Sequence, residues 1–170
     1  MTRMAYHADA SGLEDREILT WERFGSASRE LSQAVVDSGF EPQIVIAVAR
    51  GGLTLAGAMT YALGVKLSDA INVEFYTDVN ETLADPVLLA PMLDTESVAG
   101  QRILVVDDVA DSGRTLGLVL KLLRGFGAEV RSAVLYSKPR SVVAPDFAWK
   151  GTDRWIVFPW SAEAPVKKGQ

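Results

Sequence analysis

Residues Ile103 to Thr115 read ILVVDDVADSGRT, a segment dense in groups that could handle a sugar phosphate. The unbroken apolar run Ile103–Val106 has the character of a buried parallel strand. Two adjacent carboxylates, Asp107 and Asp108, stand at its carboxyl end. The small-residue loop Ala110-Asp111-Ser112-Gly113-Arg114-Thr115 follows, and then a helical pattern opens. Backbone N–H groups from about Asp111 to Thr115 would be unpaired at the start of that helix, where the helix dipole favours anions. Ser112 and Thr115 add hydroxyl donors and Gly113 permits close backbone approach, so a monophosphate fits. Asp107 and Asp108 would then face a vicinal diol, whose hydroxyls they can accept. Two adjacent aspartates can also be a solvated turn or a metal-binding pair. The strand before them and the Gly-x-Thr loop after them favour the sugar phosphate.

Two further constellations carry chemistry. In Ala49-Arg50-Gly51-Gly52, two glycines free the backbone to fold around an anion, and Arg50 supplies a cationic fork. No Gly-Lys-Ser/Thr follows, so it is not a Walker loop, and the alternative is a plain tight turn. Gly125-Phe126-Gly127 closes a helix instead of opening one, which excludes a dinucleotide fingerprint. Lys138-Pro139 ends a strand, with DRWIVFPW at Asp153–Trp160 downstream. A lysine beside an aromatic plane suits a flat heterocycle with an exocyclic oxygen. Trp155 and Trp160 could equally be core or interface residues.

These groups need a scaffold, and the apolar periodicity predicts one. Ile18, Trp21, Phe24, Leu31 and Val35 recur at helical spacing, with Ser28 filling a turn, giving a helix over Thr20–Asp37 closed by Gly39 and Pro42. Gln43–Ala49 reads as a strand, Leu53–Leu63 as a helix stopped by Gly64, and Val65–Leu67 and Ile71–Tyr76 as two short strands. Thr77–Gly100, with Pro86 and Pro91, reads as a long loop, of a kind that is usually a lid or a disordered segment, and is taken as a lid. After the strand at Ile103 come a helix over Thr115–Arg124, capped at Gly125 or Gly127, and a strand over Glu129–Tyr136. An aromatic hood occupies 138–160. This alternation predicts one α/β domain over 1–170, with a central parallel sheet flanked by helices and function at the strands' carboxyl ends. Residues 1–15 read as a loose arm and Lys167–Gln170 as a frayed tail.

Composition narrows the chemistry. The 170 residues carry 17 basic and 22 acidic side chains, a net charge of −5, which argues against a broad nucleic-acid footprint. There is no cysteine, hence no disulfide, thiol nucleophile or thiolate metal site. The single histidine, His7, reads as a solvated residue of the arm. A mean hydropathy of +0.13 with no long apolar run predicts a soluble protein, and the N-terminal segment lacks the apolar core of a secretory signal. A cytoplasmic location is the simple expectation, with no membrane partner.

Taken together, ILVVDDVADSGRT, Val48-Ala49-Arg50-Gly51-Gly52-Leu53, Lys138-Pro139 and the Asp-x-Trp-Ile-x-x-Pro-Trp pattern at Asp153–Trp160 resemble the type I phosphoribosyltransferases. The likeness is to the bacterial xanthine–guanine branch and spans roughly Gln43–Trp160. The first segment is similar to that family's phosphoribosyl pyrophosphate signature, with Ser112 where threonine is usual. The resemblance implies a transfer of ribose 5-phosphate from phosphoribosyl pyrophosphate to a 6-oxopurine in purine salvage, with Mg²⁺ as cofactor. It implies Asp107, Asp108 and Asp111 as catalytic, with Asp107 and Asp108 meeting the metal directly or through water. The 5′-phosphate would lie on Ala110–Thr115 and the pyrophosphate on Arg50, Gly51 and Gly52. Lys138 would contact O6, Trp155 would stack on the base, Ile156 would offer backbone groups to its edge, and the Ala49–Arg50 peptide would be cis. A homodimer or homotetramer is expected.

Asp111, and the lack of any lysine between Lys66 and Lys121, set the chain apart from adenine, uracil and orotate enzymes of the family. There are departures: Val157 and Phe158 are apolar where the branch is polar, and Ser161 replaces an acid. Guanine, xanthine and hypoxanthine therefore stay unranked. In the lid only Tyr76 keeps its place. The alternatives are a non-catalytic regulator that senses the same donor, and a transferase for uracil or a modified base.

Overall fold

Five strands pair side by side in parallel in the computed structural model, which describes residues 15–74, 77–78, 81–82, 87–88 and 95–169. Along the chain come β1 (Arg16–Ile18), α1 (Trp21–Asp37), β2 (Ile44–Ala49), α2 (Gly52–Leu63) and β3 (Leu67–Glu74). The short pieces β4 (Thr77–Asp78), β5 (Glu81–Thr82) and β6 (Val87–Leu88) follow, with the single turn α3 (Thr95–Val98). Then come β7 (Arg102–Ala110), α4 (Arg114–Gly125), β8 (Glu129–Ser137), β9 (Phe147–Gly151) and β10 (Trp155–Val157). Among the described residues the main sheet runs β6-β3-β2-β7-β8-β9, parallel except for the edge strand β6. The parallel α/β sheet expected from the sequence is present.

Alternation along the strands builds a core on each face of this sheet. On one face Val45, Ala47, Leu104, Val106, Ala133 and Leu135 pack with α1 and α2 through Leu31, Val35, Leu55 and Met59. On the other face Ile46, Val48, Ile103, Val105 and Val134 pack with α4 through Leu116, Val119, Leu120 and Leu123. A strand buried on both faces needs apolar residues at every position, which is why QIVIAVA and ILVV show no polar alternation.

The connections run outward in opposite directions from β2 and β7. Strand β2 leads through α2 to β3 on one side, whereas β7 leads through α4 to β8 on the other. The carboxyl ends of β2 and β7 thus border the crevice at the sheet's topological switch point, where α/β folds bind ligands. The two strands pair only as far as Ala47 opposite Val106. Beyond that register no further pair joins the two strands.

Several boundaries differ from the sequence reading, for reasons of tertiary context. Val65–Leu67 and Ile71–Tyr76 are not two strands: β3 is continuous from Leu67 to Glu74 because β2 supplies a ladder partner from Ile44 to Ala49. Ile18 lies in β1 and not on the helix, since Thr20 caps α1 by accepting from the Arg23 amide at 3.2 Å. Helix α4 ends at Gly125, with Phe126 as its cap residue and Gly127 at φ +83°. The region read as a lid over 77–100 contains the turn α3, whose Val98 is buried in the α4-side core. The rest of that region is mostly outside the described residues, as are Tyr76, His7 and most of the arm.

Candidate active site

Asp107 and Asp108 sit within β7, not at its carboxyl end as the sequence reading had them. The strand runs on to Ala110 because β8 extends equally far, pairing Asp107 with Val134, Val109 with Tyr136 and Ala110 with Ser137. Alternation then sends the two carboxylates to opposite faces of one strand. Asp107 is buried, and its Oδ1 accepts from the Asp108 amide at 2.9 Å. Asp108 shares the face of Leu104 and Val106 and meets the start of α2.

The Arg50-Gly51-Gly52 turn closes directly on this pair. The Ala49–Arg50 peptide is cis, as the family resemblance implies. A Cβ on Gly51 would stand 2.5 Å from the Asp108 carboxyl carbon, and one on Gly52 would strike the Val106 carbonyl. Only glycine lets α2 begin this close to β7. The result is an exposed Arg50 and the amides of a glycine pair beside two carboxylates.

The electrostatics of the pair follow from that packing. Burial pushes the Asp107 carboxyl well above the ordinary carboxylate range, and the neighbouring Asp108 charge pushes the same way. Burial likewise raises Asp108, to about 6, against the opposing hydrogen bonds from backbone amides. Two carboxylates that resist ionisation together are poised to welcome a hydroxyl donor or a cation.

The loop Ala110–Thr115 forms the second wall. Gly113 adopts φ +77° and starts α4 at Arg114, one residue before the predicted Thr115. A Cβ on Gly113 would crowd the Ser141 hydroxyl and the Val142 and Val143 amides. The Val142 amide donates to the Ser112 carbonyl at 2.9 Å, and the Lys138 amide to the Ala110 carbonyl at 3.0 Å. These bonds seat the loop after β8 on the candidate phosphate loop. They bring Lys138 beside Ala110 and Arg140 onto Asp111, whose Oδ1 accepts from the arginine Nε at 2.9 Å.

Of the residues expected to meet a base, Lys138 donates through Nζ to the Arg154 carbonyl, just before Trp155. Trp155 is 58% exposed, while Ile156 is buried. Trp160 takes the structural role, stacked on Phe158 at 4.9 Å and edge-on to Phe24 of α1. So the structure brings together Arg50, Gly51, Gly52, Asp107 and Asp108 on one side, and Ala110–Thr115, Lys138 and the Trp155 strand on the other. Sequence reasoning missed Arg140, although it lies two residues beyond Lys138. It also missed Glu17, whose contacts lie more than a hundred residues away in the chain.

The phosphoribosyl transferase domain family matches residues 15–167. This chain is a phosphoribosyltransferase-family member. A xanthine-guanine phosphoribosyltransferase of Nitratidesulfovibrio vulgaris is 32% identical over 147 residues, spanning 85% of this chain and 84% of that protein. One from Idiomarina loihiensis is 33% identical over 144 residues, spanning 84% of each. The crystal structure of a purine phosphoribosyltransferase from Pyrococcus horikoshii superposes with a TM-score of 0.75 at 34% identity, covering 92% of this chain and 99% of that one. For a phosphoribosyltransferase domain, the crevice between β2 and β7 is where the sheet topology puts the ligand site. Among the described residues no helix is long and apolar enough to cross a membrane.

Proposed function

We propose that this chain transfers ribose 5-phosphate from phosphoribosyl pyrophosphate to a 6-oxopurine (guanine, xanthine or hypoxanthine), releasing pyrophosphate, as in purine salvage. The observation that carries the reading is the closure of Arg50-Gly51-Gly52 onto Asp108, together with the loop of Lys138 seated on the Ala110–Thr115 loop that follows the same strand. The names of the relatives point the same way.

In this reading the 5′-phosphate rests on Ala110, Asp111, Ser112, Gly113, Arg114 and Thr115, at the positive N-terminal end of α4. Asp107 and Asp108 accept hydrogen bonds from the ribose diol. As the C1′–oxygen bond to pyrophosphate breaks, positive charge grows on the ribose ring, and the two carboxylates favour that oxocarbenium-like state. Arg50 and the Gly51 and Gly52 amides stabilise the departing pyrophosphate. A purine nitrogen forms the new bond to C1′. Asp111 steers or accepts the base's N7 proton, Lys138 meets O6, and Trp155 and Ile156 hold the ring.

The donor set fits a magnesium ion held mainly by substrate. Among the described residues no cluster of three or more acidic, histidine or cysteine side chains could cage a metal, yet two carboxylates border the crevice. Bound with the donor, Mg²⁺ would neutralise pyrophosphate charge, with Asp107 and Asp108 reaching it directly or through water.

The test is steady-state pyrophosphate release with donor and Mg²⁺, offering each 6-oxopurine, adenine and uracil separately. Release with at least one 6-oxopurine and not with the others is expected. Donor binding without release for any base would overturn the enzymatic reading in favour of a regulator.

A further inference from the structure

Strand β10 carries Trp155 and Ile156, yet it lies outside the main sheet. Its ladder partner is β1, with Arg16 opposite Trp155, Glu17 opposite Ile156 and Ile18 opposite Val157. A two-stranded ribbon of three residues each is too short to hold its own position. Glu17, in the middle of β1, fastens it. Its Oε1 accepts from Lys150 Nζ of β9 at 2.6 Å and from the Tyr136 hydroxyl of β8 at 3.5 Å. The Glu17 side chain is only 18% exposed, which favours a pair that water screens less than a surface one. Tyr136 is fully buried, and its hydroxyl, pushed up to about 12 by burial and by the Glu17 charge, stays a donor at neutral pH.

Tyr136 also stands two residues before Lys138, whose amine reaches the carbonyl of Arg154 at the head of β10. Both ends of the support therefore meet at the carboxyl end of β8, on Tyr136 and on Lys138 just beyond the strand. One runs from Tyr136 through Glu17 and β1 to β10; the other runs from Lys138 to Arg154.

We infer that Glu17 is a positioning residue for the nucleobase site: its carboxylate locks β1 to β8 and β9, and β1 thereby holds Trp155 and Ile156 in register with Lys138. This inference rests on the reading of β10 as the base-binding edge. It predicts that nucleobase affinity depends on a residue of the N-terminal strand that touches no substrate.

Glu17→Gln keeps the shape and removes the charge. In the full-length chain the KM for the accepted base is expected to rise about tenfold, with the donor KM and kcat within about threefold. The swap Glu17→Lys with Lys150→Glu re-forms the ion pair, with Tyr136 able to donate to the new carboxylate or accept from the new lysine, and is expected to restore most of the base KM. An equal rise in both KM values, or an unchanged base KM, overturns the inference. Amide hydrogen exchange keeps it separate from the proposed function. Glu17→Gln is expected to speed exchange at Trp155–Val157 by more than about tenfold while Ile103–Val106 stay protected. Should the unmutated protein turn over no base, the functional reading fails, and unchanged exchange at Trp155–Val157 would still sink the positioning role.

Discussion

Replacing Asp108 with asparagine preserves the side chain's outline beside Gly51, so the glycine turn can close as before, but it removes a charge that the fold holds at a cost. The Asp108 carboxyl moves from 3.8 to about 6 through burial. Because the folded-state value lies above the unfolded one, the folded chain binds this proton more tightly. Stability conferred by that proton is present below pH 3.8 and is lost as pH rises to about 6, after which the loss is constant. At about 1.4 kcal/mol per tenfold change in proton affinity the loss is at most about 3 kcal/mol. Asp108→Asn is therefore expected to melt higher than the parent at pH 8 in the absence of ligands, by up to about 10 °C, and at the same temperature at pH 4. Turnover should fall more than about tenfold, since half of the field that favours a cationic ribose is gone. Thermal melts across pH 4–8, paired with pyrophosphate release, read both outcomes. A variant that is less stable at pH 8, or one with near-normal turnover, would refute the reasoning.

Three more outcomes follow from the same geometry. Gly52→Ala drives a methyl into the Val106 carbonyl, which is backbone and cannot swing aside, so a loss of about 2 kcal/mol or more is expected in chemical denaturation. Trp155→Ala is expected to raise the KM for the base several-fold more than the KM for the donor, in steady-state kinetics; equal losses would make Trp155 merely structural. The Arg140–Asp111 pair is 71% and 50% exposed, so Arg140→Gln is expected to leave the melting temperature within about 2 °C, because such exposed pairs contribute less than about 1 kcal/mol.

What the sequence made legible were features encoded within one segment. The runs QIVIAVA and ILVV announce strands buried on both faces, and the Gly113 turn announces a helix start suited to an anion. Contacts between segments were harder to read. Asp107 and Asp108 lie inside β7 because β8 happens to run as long, and no local signal in ILVVDDVA records its neighbour's length. The residues REI of β1 are too few for any periodicity, and only β10, more than a hundred positions on, makes them a strand. Trp155 and Trp160 have similar surroundings in the sequence, yet Phe24 and Phe158 enclose one and leave the other exposed. The hold of Arg140 on Asp111 depended on the loop after β8 folding back onto the loop after β7.

The central claim is that this crevice joins a phosphoribosyl donor to a 6-oxopurine. A competition in one vessel tests it most directly: donor and Mg²⁺ with equimolar guanine, xanthine, hypoxanthine, adenine and uracil, the nucleotides formed being identified by mass. Monophosphates of one or more 6-oxopurines alone are predicted. Adenine or uracil nucleotides as the main product, or bound donor with no nucleotide formed, would contradict it.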